Sequence, residues 1–274
     1  MKRSRRGDLL SALTLALASA LGLWAFLHPF FGLSGGALSP SGDRAAAHAQ
    51  DAPLVLLGLV GLCLLVVIAN LETRRMDARV VAVLGVLVGI NASLRLVSGP
   101  LGASATFFLP ILCGYVFGAD FGFLLASLSV LAAALLTGGV GPWLPFQMFA
   151  TGWCGMISGW LPRLDGRLGI ACAMLAVWGG LVGFLFGAII NLWFWPYLVP
   201  TNTAHHWQAG IGLTETLVRY AVFYLATSSW WDAGRAVGNV ILLLALGPPV
   251  LRLLRRFQRR FQFRMAEEGV RRVE

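Results

Sequence analysis

Charge is what this chain of 274 residues has least of. Only 12% of it is Asp, Glu, Lys or Arg, about half the share in a soluble domain. Hydrophobic residues make up 58%, and the mean hydropathy is +0.77. So few charges cannot cover a water-exposed fold of this length, which excludes a soluble enzyme, a secreted disulfide scaffold and a disordered tail. Cysteine is scarce too. Cys63, Cys113, Cys154 and Cys172 all fall inside apolar runs without a CxxC pair, and they read as small buried residues. Neither H-E-x-x-H nor G-x-x-x-x-G-K-[ST] occurs, so zinc-peptidase and P-loop ATPase chemistry are not expected. The neighbours His205 and His206 cannot share a helical face and read as loop residues. No enzyme activity and no cofactor is expected.

What the sequence has in quantity is long apolar runs. Eight lie near 9–27, 54–71, 80–97, 106–118, 120–137, 145–161, 168–194 and 236–252, and a membrane span takes about 20 such residues. Thr106 to Thr137 is too long for one span and barely enough for two. The break Gly118-Ala119-Asp120-Phe121-Gly122 supplies glycines and a charge for a tight hairpin, so the stretch is split there.

Basic residues test that division. With eight spans and both termini cytoplasmic, 17 of the 21 basic residues face inward, leaving Arg44, Arg95, Arg219 and Arg235 outside. That arrangement obeys the positive-inside rule. Fusing 106–137 would instead put Arg163, Arg167 and the arginine-rich tail outside. The net charge of +9 is therefore an orientation signal, not a sign of nucleic-acid binding. Leu213 to Ser229 carries Glu215, Arg219, Tyr220 and Tyr224 among Leu217, Ala221 and Leu225, and it reads as an amphipathic helix on the outer surface. The basic start, MKRSRR, has the look of a signal peptide, but HPFFGLSGG offers no obvious A-x-A site. A retained first span is expected.

The expected fold class is an all-α polytopic protein of the cell (plasma) membrane. Residues 1–77 form a two-helix hairpin with an outer loop and a cytoplasmic linker, 78–256 a six-helix core, and 257–274 a basic tail. The tail interleaves arginine with Phe257, Phe261 and Phe263, which suits an anionic inner membrane surface.

Span centres contain essentially no ionisable residue, which argues against a proton relay. The segment from Thr137 to Met148, TGGVGPWLPFQM, makes a structured turn entering a helix. Trp143, Phe146, Gln147 and Met148 offer an aromatic and apolar wall with one orienting amide, the chemistry of a small-molecule pocket. An ordinary Pro/Gly turn with an interfacial Trp is the competing reading. Asn91 and Arg95, four apart, share a helix face. Asn191 stands beside Trp193, Phe194 and Trp195. Asp232 and Arg235, three apart, either join the site or pair with each other. All are placed in the outer half, as a ligand captured from outside requires. In the inner half of 80–97, Ala82, Gly85 and Gly89 form a stripe of small residues that lets another helix approach, from within the chain or from a partner. Ala12, Ala16 and Ala20 form a similar stripe.

The run NASLRL followed by FFLPILCGYVFGADFGFLLASLSVLAAALLTGGVGPWLPFQMFATGWCGMISGWL resembles the membrane-embedded S components of energy-coupling factor (ECF) vitamin transporters. The resemblance spans about Ala78 to Arg256. It implies a six-helix core that binds a vitamin or its precursor, cobalamin among them, near the outer face. It also implies association with a transmembrane coupling protein and two ATPases, with toppling of the loaded subunit delivering the ligand. The substrate would then rest on Asn91, Arg95, Trp143, Phe146, Gln147, Met148, Asn191, Trp195 and Arg235. Ala82, Gly85 and Gly89 best match the family's coupling motif, although Val86 interrupts a clean A-x-x-x-A. The two N-terminal spans depart from the pattern. Competing functions are a secondary transporter or channel, which needs a buried charged pair or a polar pore, and a scaffold subunit without a ligand.

Overall fold

The computed structural model describes residues 5–31, 48, 50–72, 78–97, 99–164, 166–198, 205–208 and 210–271, of which 5–8, 72 and 260–271 as backbone only. Expectations placed on Arg44, on the linker that closes residues 1–77, and on the side chains of Phe261 and Phe263 fall outside what it describes. Among the described residues ten α-helices follow in order: α1 (Arg5–Leu27), α2 (Ala52–Glu72), α3 (Ala78–Leu96), α4 (Phe108–Phe117), α5 (Ala119–Thr137), α6 (Leu144–Ser158), α7 (Leu168–Asn191), α8 (Leu213–Thr227), α9 (Ser229–Ala245) and α10 (Gly247–Arg271). Among the described residues there is no strand.

All eight apolar runs are helical, but they do not make eight helices of span length. Among the described residues five stretches are long and apolar enough to cross a bilayer: Leu9–Phe31, Ala52–Leu71, Ala78–Leu96, Ala119–Thr137 and Leu168–Tyr197. A sixth results if α9 and the start of α10 count as one span, bent by 63°. The sequence reads 236–252 as continuous. The chain breaks at Leu246 because Pro248 and Pro249 have no N–H to donate back to α9, yet both fit the first turn of a new helix. Helix α4 has 10 residues, about 15 Å and half a bilayer core, and it is enclosed by protein from Thr106 to Val116. Large apolar side chains cover the outside instead, among them Leu54, Leu57, Trp160, Val177 and Leu181. An apolar exterior and several span-length helices mark a multi-pass membrane protein.

Between lipid-facing helices, close fit takes over from the hydrophobic effect. The expected break after α4 falls at Gly118, whose φ of 106° excludes most side chains. Just beyond it, α5 and α6 meet backbone to backbone: a methyl at Gly122 would run into the carbonyl oxygen of Gly155, and one at Gly155 into that of Gly122. A Gly155→Val substitution should therefore lower stability by about 1–3 kcal/mol, read as a fall in the melting temperature of the purified protein.

The short α4 is finished by other elements. Gln258 of α10 donates to the Val116 carbonyl at 2.6 Å, and Arg163 reaches the same oxygen at 3.4 Å. These side chains serve a helix end that has no intrahelical partner. Arg255 reaches the Leu164 carbonyl and lies over the Tyr115 ring. This end of the bundle carries Arg79, Arg163, Arg167, Arg252, Arg255, Arg256 and Arg259.

The N-terminal pair packs on the core. Phe26 meets Phe146 and Trp153 at ring distances of 5.0 and 5.9 Å, Trp153 donates to Ser19, and Ser11 donates to Asp120. Helix α8 has 15 residues and exposes Leu213, Leu217 and Leu225. Tyr220 and Tyr224 donate to the carbonyls of Ala188 and Phe184, so α8 lies over the last two turns of α7, as a surface helix would.

Candidate functional site

At the end of the bundle opposite the arginines, α3, α6, α7 and α9 bring polar side chains together. A Pro/Gly turn leads into α6, with Pro145 in its first turn, and Gln147 follows. From the last turn of α3, Arg95 Nη2 donates to Gln147 Oε1 at 2.6 Å. Among the described residues no carboxylate pairs with Arg95. Its charged neighbour is Arg235, whose like charge opposes it.

Arg235 is better compensated. It donates to the Asp232 carboxylate and, at 3.2 Å, to the Gly183 carbonyl, and its guanidinium lies 5.0 Å from the centre of the Phe186 ring. Asp232 is 2% exposed and lies against Gly187, where a methyl would strike its carboxylate. The pair foreseen from the spacing therefore forms. The group as a whole holds two guanidiniums and one carboxylate in largely apolar surroundings. Uncompensated positive charge there is costly unless an anion arrives, and guanidiniums suit carboxylate and phosphate.

Asn91 lies one turn before Arg95, is 1% exposed and donates to the Thr106 carbonyl at 3.2 Å. Its Oδ1 is buried without a hydrogen bond. Phe107, next to Thr106, packs on Phe186 at 5.1 Å, joining Asn91 to the Arg235 side of the site. Trp143 and Phe146 each approach Trp193 at 6.3 Å and form the aromatic wall.

Three expected residues do other work. Met148 is fully buried, and its carbonyl accepts a bond from Ser127 at 3.0 Å, which ties α6 to α5. Asn191 donates to Ser228 at 2.6 Å and fixes the α8–α9 corner. Trp195 donates to the His205 carbonyl at 3.0 Å and stacks edge-on with Tyr220 at 4.9 Å, holding the 205–208 segment and α8. Ala82, Gly85 and Gly89 are exposed, with open space beyond both glycines.

The sequence gives no hint of His48, whose ring lies 4.4 Å from Phe146 and 4.9 Å from Tyr197. It stands in a loop far from α6 in the chain, and no spacing links the two. No protein family, no curated protein and no solved structure matches the chain.

Proposed function

We propose that this chain is the substrate-capture subunit of an ATP-driven ECF-type importer, and that it takes up an anionic vitamin or vitamin precursor at the outer face. The observation that carries the reading is the Arg95–Gln147 bond at 2.6 Å: Gln147 follows Phe146 of the aromatic wall, and the like charge of Arg235 acts on Arg95. A planar heterocycle or corrinoid fits the aromatic wall, and its carboxylate or phosphate meets the arginines. The arginine-rich end faces the cytoplasm by the positive-inside rule, which puts Arg95 outside. Energy comes from a coupling protein and two ATPases.

The test is a thermal-stability screen of the purified protein against vitamins in matched anionic and neutral forms. A ligand that binds only the folded state raises Tm. The anionic member of a pair is expected to stabilise and its neutral analogue to do so less. Equal effects of both forms, or none across the panel, count against the reading.

The exposed Ala82, Gly85 and Gly89 stripe supports docking of the coupling protein, because small residues allow close helix approach. A Gly85→Trp substitution is expected to leave ligand binding within about twofold, since nothing lies within 4 Å of that position, while uptake falls to background. Labelled-ligand uptake measured beside binding separates the two.

One observation favours a secondary transporter: Asp232 and Arg235 form a buried charged pair. The pair sits in the first turns of α9, within one helix, at the end of the bundle. Proton-gradient-dependent uptake without any ATPase would favour that second reading.

A further inference from the structure

Where α1 ends and α2 begins, three side chains with metal-ligating atoms converge: His28, His48 and Asp51, with one atom from each within 4.8 Å of the others. His28 Nδ1 lies 3.2 and 3.1 Å from the carbonyls of Trp24 and Ala25. Both partners only accept, so Nδ1 carries a proton, and in the neutral imidazole Nε2 has the lone pair. That lone pair faces Asp51 Oδ2 at 3.4 Å. His48 Nδ1 lies 2.7 Å from the same oxygen. His48 is 4% exposed, and its Nε2 is buried with no hydrogen bond, a costly state for a polar atom beside Phe146 and Tyr197.

We propose that His28, His48 and Asp51 bind a divalent transition-metal ion of the zinc class. A proton-bearing Nδ1 held by a backbone carbonyl is the outer-shell arrangement that orients a metal-bound histidine, and His28 has it. Ligands about 2.0–2.1 Å from a tetrahedral zinc lie about 3.3 Å from one another. His28 and Asp51 already stand at 3.4 Å. His48 and Asp51, at hydrogen-bond distance, separate by about 0.6 Å as their shared proton gives way to the cation. Two imidazoles and a carboxylate select zinc, cobalt or nickel over magnesium and calcium, and three protein ligands leave a fourth position for water or an anion. The ion would clamp the start of α2 to the end of α1, against Phe146 of the aromatic wall. This site stands independently of the transport reading.

The full-length chain, with any histidine tag removed and stripped by chelator in detergent, is titrated with Co2+ by visible absorption and with Zn2+ by calorimetry. One saturable equivalent with a tetrahedral-type cobalt spectrum is expected. His48→Ala and the near-isosteric Asp51→Asn each weaken binding at least about tenfold, whereas His205→Ala leaves it unchanged. X-ray absorption on the zinc-loaded wild type is expected to show two imidazoles, a readout that needs no variant. Absence of one-to-one binding in the wild type, or undiminished binding by Asp51→Asn and His48→Ala, overturns the site.

Discussion

Arg95→Ala is expected to weaken binding of the anionic ligand about 30-fold or more while leaving the fold intact. A charged partner removed from a buried, hydrogen-bonded ion contact costs about 2–5 kcal/mol, and each 1.4 kcal/mol is a factor of ten. The fold should tolerate the change because Arg95 has an amide as its partner and a like charge nearby. Its loss removes repulsion along with one hydrogen bond. Arg95→Lys keeps the charge but loses the planar fork, so an intermediate affinity is expected. Gln147→Ala, which removes a neutral group, should cost about tenfold. Calorimetry with the best ligand from the stability screen measures all three. Wild-type affinity in Arg95→Ala would remove Arg95 from the site.

Asp232→Ala is expected to have the largest effect on stability, a loss of about 3–5 kcal/mol, because it leaves Arg235 without its carboxylate in a buried position. Asp232 is 2% exposed, and the side chain of Arg235 is 17% exposed, so solvent screens the remaining charge poorly. The double variant Asp232→Ala/Arg235→Met should recover most of the loss, since replacing both partners with apolar groups removes the unpaired charge. Thermal unfolding of the three proteins checks this. If the pair were instead the proton relay of a secondary transporter, Asp232→Asn would abolish gradient-driven uptake.

Apolar runs and charge placement made the class legible: a chain with so few charges and such long runs folds as a helical membrane protein. The Gly118 break and the Asp232–Arg235 pair were also legible, because each is local and follows from residue type and spacing. What lay beyond the sequence was tertiary. The 63° bend at Leu246 depends on two prolines inside a run that hydropathy alone reads as continuous. The enclosure of α4, a helix of 10 residues, depends on the elements packed around it. Arg95 and Gln147 were both expected at the site, yet their direct bond joins α3 to α6 across 52 residues. Asn191 and Trp195 carry polar atoms of the right kind, but those atoms are used by Ser228 and the His205 carbonyl. His48 and Asp51 pair locally, three residues apart, and His28 joins them only because α1 and α2 lie side by side.

The central claim is that this chain captures a ligand and leaves the energy to other proteins. Its most direct test is uptake of the labelled ligand into cells that express the chain with and without an ECF coupling protein and its two ATPases. The account predicts ligand bound at the membrane in both cases, with accumulation only when the coupling module is present and ATP is available. Accumulation by the chain alone, collapsing when the proton gradient is dissipated, would contradict it.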